Sequence, residues 1–202
     1  MKRFEKTIAV TGGIGSGKST ACKILKENGF YIIDTDEITR EISQPNGSAY
    51  TKIIKLFGPS ILLKDKTLNK DKIKELILTN PQLKNKLEDI LHPLILNEVK
   101  RKIQALREND YDSYIFVEVP LLFEAGWDKF FPHVLLVTAP IKKRIERIKQ
   151  YRNMSSSKAL SFIKSQLPDE KKKKLSTWII TNDKDIQTLK HKIKKFLKEL
   201  ES

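Results

Sequence analysis

The chain has 202 residues, 39% hydrophobic and 32% charged, a balance that provides a core and excludes both a fibrous chain and wholesale disorder. Lysine and arginine number 39 against 25 acids, for a formal charge of +14, a field that favours polyanions such as nucleotides, coenzymes or nucleic acids without choosing among them. One cysteine, Cys22, with three histidines excludes an intrachain disulfide scaffold and both Cys₄ and Cys₂His₂ zinc sites. The opening MKRFEKTIAV reaches glycine-rich sequence after too few apolar residues for a signal peptide, and no apolar run approaches the ~20 residues of a membrane span. A cytoplasmic location without a membrane partner is therefore expected.

Thr7 to Thr11, TIAVT, is a short apolar, β-branched run that suits a buried strand. Glycines at 12, 13, 15 and 17 follow, and Lys18 to Asn28 then reads as a helix, with Cys22 and Leu25 inward and Gly29 as its stop. Tyr31 to Ile33 is a second strand, ending in Asp34 and Asp36. From Ile38 to Arg107 the apolar period moves toward 3.6, with breaks at Pro45 to Gly47, Gly58 to Pro59 and Pro81, which predicts a helical insert. Tyr114 to Val119 and Val134 to Thr138 read as buried strands. A basic helical region covers Ile141 to Leu167, and Lys171 to Lys174 extend its charge. Thr177 to Ile180 is a last strand before an amphipathic helix carrying Ile186, Leu189, Ile193 and Leu200, whose lysines form its wet face. The whole predicts an α/β fold, a parallel sheet covered by helices on both faces.

Gly12-Gly13-Ile14-Gly15-Ser16-Gly17-Lys18-Ser19 meets the phosphate-loop pattern G-x-x-x-x-G-K-[ST] without a mismatch, between a predicted strand and a predicted helix. Glycines let successive backbone N–H groups wrap an anion, and the helix that follows aims its unpaired donors at the same place. In such a loop Lys18 bridges the β- and γ-phosphates of ATP, the Ser19 hydroxyl ligates Mg²⁺, and Thr20 packs or hydrogen-bonds beside the nucleotide.

The loop alone allows small-molecule kinases, GTPases, motor ATPases and nucleic-acid translocases. A GTPase needs a late N/T-K-x-D segment, and Asn182-Asp183-Lys184-Asp185 has the wrong order. Asp34 and Asp36 flank Thr35 at a strand end, so an extended backbone would place both carboxylates on one side, at the sheet edge where such folds bind ligands. One would orient or deprotonate an attacking hydroxyl and the other hold Mg²⁺ through water. The alternative is an N-cap or loop role for either acid.

Six segments together resemble the dephospho-coenzyme A kinase family: TGGIGSGKST at Thr11 to Thr20, DTDEITR at Asp34 to Arg40, LEDILHPLI at Leu87 to Ile95, VEVPLLFEAG at Val117 to Gly126, SQLPDEKK at Ser165 to Lys172, and IITN at Ile179 to Asn182. The resemblance implies transfer of the ATP γ-phosphoryl to the ribose 3′-hydroxyl of dephospho-coenzyme A, the last step of coenzyme A synthesis. It implies a phosphate cradle over Gly13, Ile14, Gly15, Ser16, Gly17, Lys18, Ser19 and Thr20, with Asp34 as the catalytic base and Asp36 beside it in the acceptor site. His92 and Pro93 match a segment of the substrate-binding helical domain, Pro120 and Leu121 match the acceptor segment after the central strand, and Asn182 matches the stretch near adenine. Glu118 either helps organise Mg²⁺ through water or makes a hydrogen bond at the edge of the core. Where family members commonly carry lid arginines this chain has Tyr151 and Phe162; Arg152 supplies the first guanidinium after a one-residue register change, with Arg144, Arg147 and Lys149 in reserve.

These readings predict a phosphate-loop nucleoside triphosphate hydrolase fold in three parts: a nucleotide core of 1–40, 110–141 and 172–202, a helical substrate domain of 41–109, and a lid of 142–171. A monomer or weak homo-oligomer is expected. The runner-up is a kinase acting on another nucleotide or nucleoside. An ATP-regulated nucleic-acid binder is a different class, against which stands the lack of aromatic residues interleaved with the basic helices.

Overall fold

The computed structural model describes residues 4–109 and 111–201, with no side chain for 201; the expected core-segment ends at 1, 110 and 202 lie outside the described residues. β1 (Thr7–Thr11) is buried along its whole length, as its unbroken TIAVT run requires. It is flanked by β3 (Ile115–Glu118) and β4 (His133–Thr138), both paired to it in parallel, and β5 (Trp178–Thr181) continues the sheet beyond β4. β2 (Tyr31–Asp34) completes a five-stranded sheet of order β2-β3-β1-β4-β5. Central β1 thus ends between the ends of two neighbours, the place where an open α/β sheet presents its ligand crevice.

One face of the sheet carries Ile8, Val10, Phe116, Leu135, Val137 and Ile180. It is covered by Ala21, Cys22, Ile24 and Leu25 of α1 (Lys18–Glu27) and by Leu189, Ile193, Phe196 and Leu197 of α9 (Ile186–Glu201). The three- and four-residue spacing of those helical residues places them on single stripes, while the period of two in the strands selects alternate residues. Phe116 meets both Phe30 and Phe196 edge to face, with ring centroids 5.3 and 6.2 Å apart. Residues of the opposite face, including Ala9, Val117 and Leu136, are buried as well.

The basic region after β4 is three helices: α6 (Ile141–Arg152), α7 (Ser156–Lys164) and α8 (Asp169–Lys174). Asn153, in the left-handed conformation at φ 48°, ends α6, and Ser155 caps α7 through the Lys158 N–H.

The chain divides into two compact units, Met1–Ile33 with Asp112–Ser202, and Asp34–Tyr111. Residues 142–171 fall inside the first. The second holds α2 (Thr35–Ile42), α3 (Tyr50–Phe57), α4 (Lys70–Thr79) and the 28-residue α5 (Pro81–Glu108), against which the other three pack. Asn80 caps α5 with its side chain, and Pro81 occupies the first turn, where a missing N–H costs nothing. Pro93 lies inside α5 and leaves the Asp89 carbonyl without its usual helical donor. No helix among the described residues is long and apolar enough to cross a membrane.

Candidate active site

β1 delivers the chain into the loop at Gly12, and α1 receives it at Gly17, its N-cap. Gly17 sits at φ 90°, a left-handed conformation that a side chain resists, and a Cβ there would lie 2.1 Å from Asn182 Nδ2. A Cβ on Gly13 would lie 2.2 Å from an Arg144 guanidinium nitrogen. Side chains therefore press on the loop from outside, and only glycine leaves room for them.

That outer wall supplies donors to the loop carbonyls. Arg144 Nε donates to Ile14 O at 2.8 Å, Arg147 Nη1 reaches Gly15 O and Ser16 O at 3.4 and 3.3 Å, and Asn182 Nδ2 donates to Ser16 O at 2.9 Å. Arg147 Nη2 in turn donates to the backbone and side-chain oxygens of Asn182 at 3.1 and 3.2 Å. The Ser16 hydroxyl is buried without a hydrogen-bond partner among the described residues. With three of its carbonyls bonded to outside donors, the loop runs into the α1 N-terminus, whose N–H groups suit phosphate oxygens.

Lys18 and Ser19, the first two residues of α1, both donate to Oε1 of Glu118 at the end of β3, the serine at 2.9 Å. Burial pushes the Glu118 carboxyl up, but the Lys18 ammonium and hydrogen bonds from Lys18, Ser19 and Cys22 outweigh it and hold the group below its ordinary value. The carboxylate is thus ionised at neutral pH. A hydroxyl and a carboxylate side by side are hard oxygen donors suited to Mg²⁺, which takes few protein ligands when phosphates supply others.

A cavity of about 610 Å³ opens beside the loop, lined by Gly15, Gly17, Ser19 and Thr20 on one side and by Arg147, Tyr151, Arg152, Asn182 and Ile186 among others. Asn182, expected near adenine, and Arg152, expected in the lid, thus line one cavity with the loop glycines, and Asn182 also bonds to the loop. Arg144 and Arg147, expected only as reserves for Arg152, also contact the loop directly. Burial lowers the Arg144 guanidinium from its ordinary value, with Asp169 opposing that shift.

In the second unit, Asp34 ends β2 and caps α2: its Oδ1 accepts from the N–H groups of Asp36 at 2.8 Å and Glu37 at 3.3 Å. The extended arrangement expected for Asp34 and Asp36 does not occur. α2 starts at Thr35, so Asp36 lies in its first helical turn, where its charge suits the helix dipole. Asp36 lines a second cavity, about 580 Å³, with Arg40, Lys70 and Lys74 as cations and Ile53, Leu68, Ile73, Ile77, Leu87 and Leu91 as apolar wall. His92, half-buried on α5, is not part of its lining.

After β3 the Pro120 carbonyl accepts from Thr11 Oγ1 at 3.4 Å, and Leu121, 47% exposed, opens a turn closed by the Ala125 N–H to the Leu121 carbonyl. The family model described as dephospho-CoA kinase matches residues 6–188. The chain belongs to the dephospho-CoA kinase family. A dephospho-CoA kinase of Carboxydothermus hydrogenoformans is 37% identical over 186 residues, 92% of this chain and 90% of that one. A crystal structure from Thermus thermophilus superposes with a TM-score of 0.84 at 28% identity, covering 99% of each chain. A dephospho-CoA kinase from Campylobacter jejuni gives 0.71 at 28% identity, covering 99% of this chain and 98% of that one.

Four polar residues beside these elements carry no role in the sequence reading. Gln166 Oε1 accepts from the Ile14 N–H at 2.9 Å, and Asp169 accepts from Thr138 Oγ1 at 2.6 Å while pairing with Arg144 at 3.2 Å. Lys172 is fully buried with Nζ 2.8 Å from Glu124 Oε1, a charge contact without hydrogen-bond alignment, and Glu124 Oε1 also accepts from the Leu167 N–H at 3.0 Å. Gln166, Asp169 and Lys172 all lie in SQLPDEKK, a segment that carried the family resemblance and gave no local hint of these partners.

Proposed function

We propose that this chain transfers the γ-phosphoryl of ATP to the ribose 3′-hydroxyl of dephospho-coenzyme A, giving coenzyme A and ADP, and that it does so in the cytoplasm as a monomer or weak homo-oligomer. Family membership carries the reaction. The observation that supports the site assignment is the meeting of Lys18, Ser19 and Glu118 at the end of β3, beside a loop whose carbonyls are turned to outside donors.

The α1 N-terminus and the loop amides other than that of Ile14 bind the triphosphate, and Lys18 supplies fixed positive charge to the group in transfer. Ser19, with Glu118 through water, would hold Mg²⁺, which when bound neutralises charge on the phosphate oxygens. Asn182, Arg147 and Arg152 bound the nucleotide cavity. On the acceptor side, Asp34 orients the 3′-hydroxyl and takes its proton. Its capping bonds both use Oδ1, so Oδ2 is the oxygen that serves the hydroxyl. The 3′-oxygen forms a bond to the γ-phosphorus as the bond from that phosphorus to the β,γ-bridging oxygen breaks, and ADP leaves.

Asp36, His92, Pro120 and Leu121 belong to the acceptor's surroundings. A cavity with three cations and six aliphatic residues suits a ligand that joins a pyrophosphate to a long, weakly polar arm. Arg144 and Arg147 tie the first half of α6 to the loop and Gln166 ties the turn after α7 to it, so the moving part of the 142–171 lid is its tip, the end of α6, the turn at Asn153 and α7. Closure there excludes water that would otherwise take the phosphoryl.

The test is a panel of alcohol acceptors with MgATP: dephospho-coenzyme A, adenosine, AMP and shikimate. Turnover confined to dephospho-coenzyme A, with the new phosphate on the ribose 3′-oxygen by ³¹P–¹H correlation, is expected. Turnover on a different acceptor with none on dephospho-coenzyme A would overturn the reading.

A further inference from the structure

Ile14 sits at the apex of the phosphate loop, and both polar groups of its backbone are held by one segment of the chain. Its N–H donates to Gln166 Oε1 at 2.9 Å and its carbonyl accepts from Arg144 Nε at 2.8 Å. Arg144 Nη2 also lies 3.4 Å from the same Gln166 oxygen, so amide and guanidinium act as one bracket. Arg144 is 2% exposed, and its Nη1 reaches both oxygens of Asp169 at 3.2 and 3.3 Å. Asp169 Oδ2 accepts from the hydroxyl of Thr138, the last residue of β4, at 2.6 Å. A continuous line of contacts therefore runs from the sheet through Asp169 and Arg144 to the loop apex, and Gln166 closes it.

We propose that Gln166 and Asp169 are positioning residues for phosphoryl transfer: through Arg144 they clamp the Ile14 peptide and fix the loop in the conformation that receives the triphosphate. The inference rests on the proposed reading of the loop as the ATP site. A chain segment with glycine at 12, 13, 15 and 17 loses more conformational freedom on ordering than any other, so a loop left free would lose that freedom again at each binding event. A clamp outside the ligand's footprint orders the loop beforehand and raises nucleotide affinity without touching the nucleotide. The Ile14 N–H is engaged by Gln166, so it is not a phosphate donor. Its contribution is to hold the loop, and removing its acceptor leaves a part-buried donor unmet. A staple serving stability alone would behave differently, because its loss lowers the melting temperature and leaves the ratio of the two substrates' KM values unchanged.

Gln166→Met keeps the volume and flexibility of the side chain and removes the acceptor; Gln166→Glu keeps an acceptor and adds a charge opposite Arg144. Asp169→Asn keeps an acceptor for Thr138 and removes the ionic partner of Arg144. The measurements are calorimetric Mg·ADP affinity, amide exchange of the Ile14–Gly17 peptide without nucleotide, and KM for each substrate. We expect Gln166→Met to weaken Mg·ADP about tenfold, raise the ATP KM by a similar factor and speed loop exchange, with the acceptor KM within twofold of wild type. Gln166→Glu should restore loop protection, and Asp169→Asn should fall between. Wild-type ADP affinity and loop exchange in a folded Gln166→Met, or equal rises in both KM values, would overturn the clamp while leaving the proposed reaction standing. A wild-type chain that binds no Mg·ADP would instead overturn the reaction, and the clamp with it.

Discussion

Lys18 at the head of α1 and Glu118 at the end of β3 form an ion pair nearly closed to solvent, their side chains 11% and 8% exposed. Such a pair costs desolvation to assemble, and removing one partner strands the other, so its members are coupled in stability and in function. Glu118→Gln should lower stability on the order of 1–3 kcal/mol and raise the Mg²⁺ requirement for turnover. Because the folded Glu118 carboxyl titrates below its ordinary 4.5, its contribution to stability is fully present above that value and is lost as pH falls through the lowered folded value. Melting temperatures from pH 7 to pH 3 should therefore drop more steeply for wild type than for Glu118→Gln once pH is below about 4.5. Parallel acid limbs in the two proteins would remove the linkage.

Lys18→Ala removes the charge proposed to act on the transferring group and should reduce kcat at least ~100-fold with the circular dichroism spectrum unchanged. A folded variant with near-normal turnover would show that another cation has the task.

The sheet and the loop were legible because both are local. TIAVT and VLLVT announce buried strands by unbroken apolar character, and the phosphate loop is eight consecutive residues. β5 differs from its expected position by one residue, a matter of where ladder hydrogen bonds begin. For Asp34 the sequence leaves two readings, an extended pair with Asp36 or an N-cap, and the second is the one that occurs: Asp34, with acids in the two positions after Thr35, is an N-cap pattern that announces a helix at Thr35. Contacts at long range were not legible. Ile14 and Gln166 are separated by 152 positions, and nothing in the sequence near a polar glutamine names its donor. Lys172 stands in a run of four lysines yet is fully buried against Glu124, so composition alone would have placed it in water.

Gly17→Ala tests whether the close approach of Asn182 matters to the nucleotide. Its Cβ meets Asn182 Nδ2 at 2.1 Å, and φ of 90° disfavours any side chain. Nucleotide affinity should fall by ~30-fold or more, and adding Asn182→Ala should recover little, because the backbone conformation still resists alanine. Full recovery in the double variant, measured by calorimetry, would assign the whole effect to the clash.

Arg152 and Lys158 carry the same charge on neighbouring helices, but only Arg152 lines the cavity beside the loop. If the Arg152 guanidinium at the cavity serves the phosphates, Arg152→Ala should reduce kcat/KM for ATP by about tenfold and Lys158→Ala, an exposed and screened ammonium, by less than about twofold. Equal small effects would pass the task to Arg147, already bound to the loop carbonyls.

Asp34, the N-cap of α2 and the proposed base, has two roles that one substitution can separate. As N-cap of α2 it accepts from two backbone N–H groups, and asparagine caps a helix about as well as aspartate. Asp34→Asn should therefore melt within about 0.5 kcal/mol of wild type, whereas Asp34→Ala should lose about 1 kcal/mol. The proton affinity of the carboxylate has no such substitute. Asp34→Asn should reduce kcat by ~100-fold or more with Mg·ATP affinity nearly unchanged, because the loss falls on the acceptor hydroxyl and not on the phosphate loop. Asp36→Asn should leave kcat higher than Asp34→Asn does and alter the acceptor KM, since Asp36 lines the second cavity. Steady-state kinetics joined to direct nucleotide binding decides the assignment. If Asp34→Asn turns over normally and Asp36→Asn does not, the base is Asp36; if both turn over normally, these carboxylates serve the helix alone and the hydroxyl is activated by a different group.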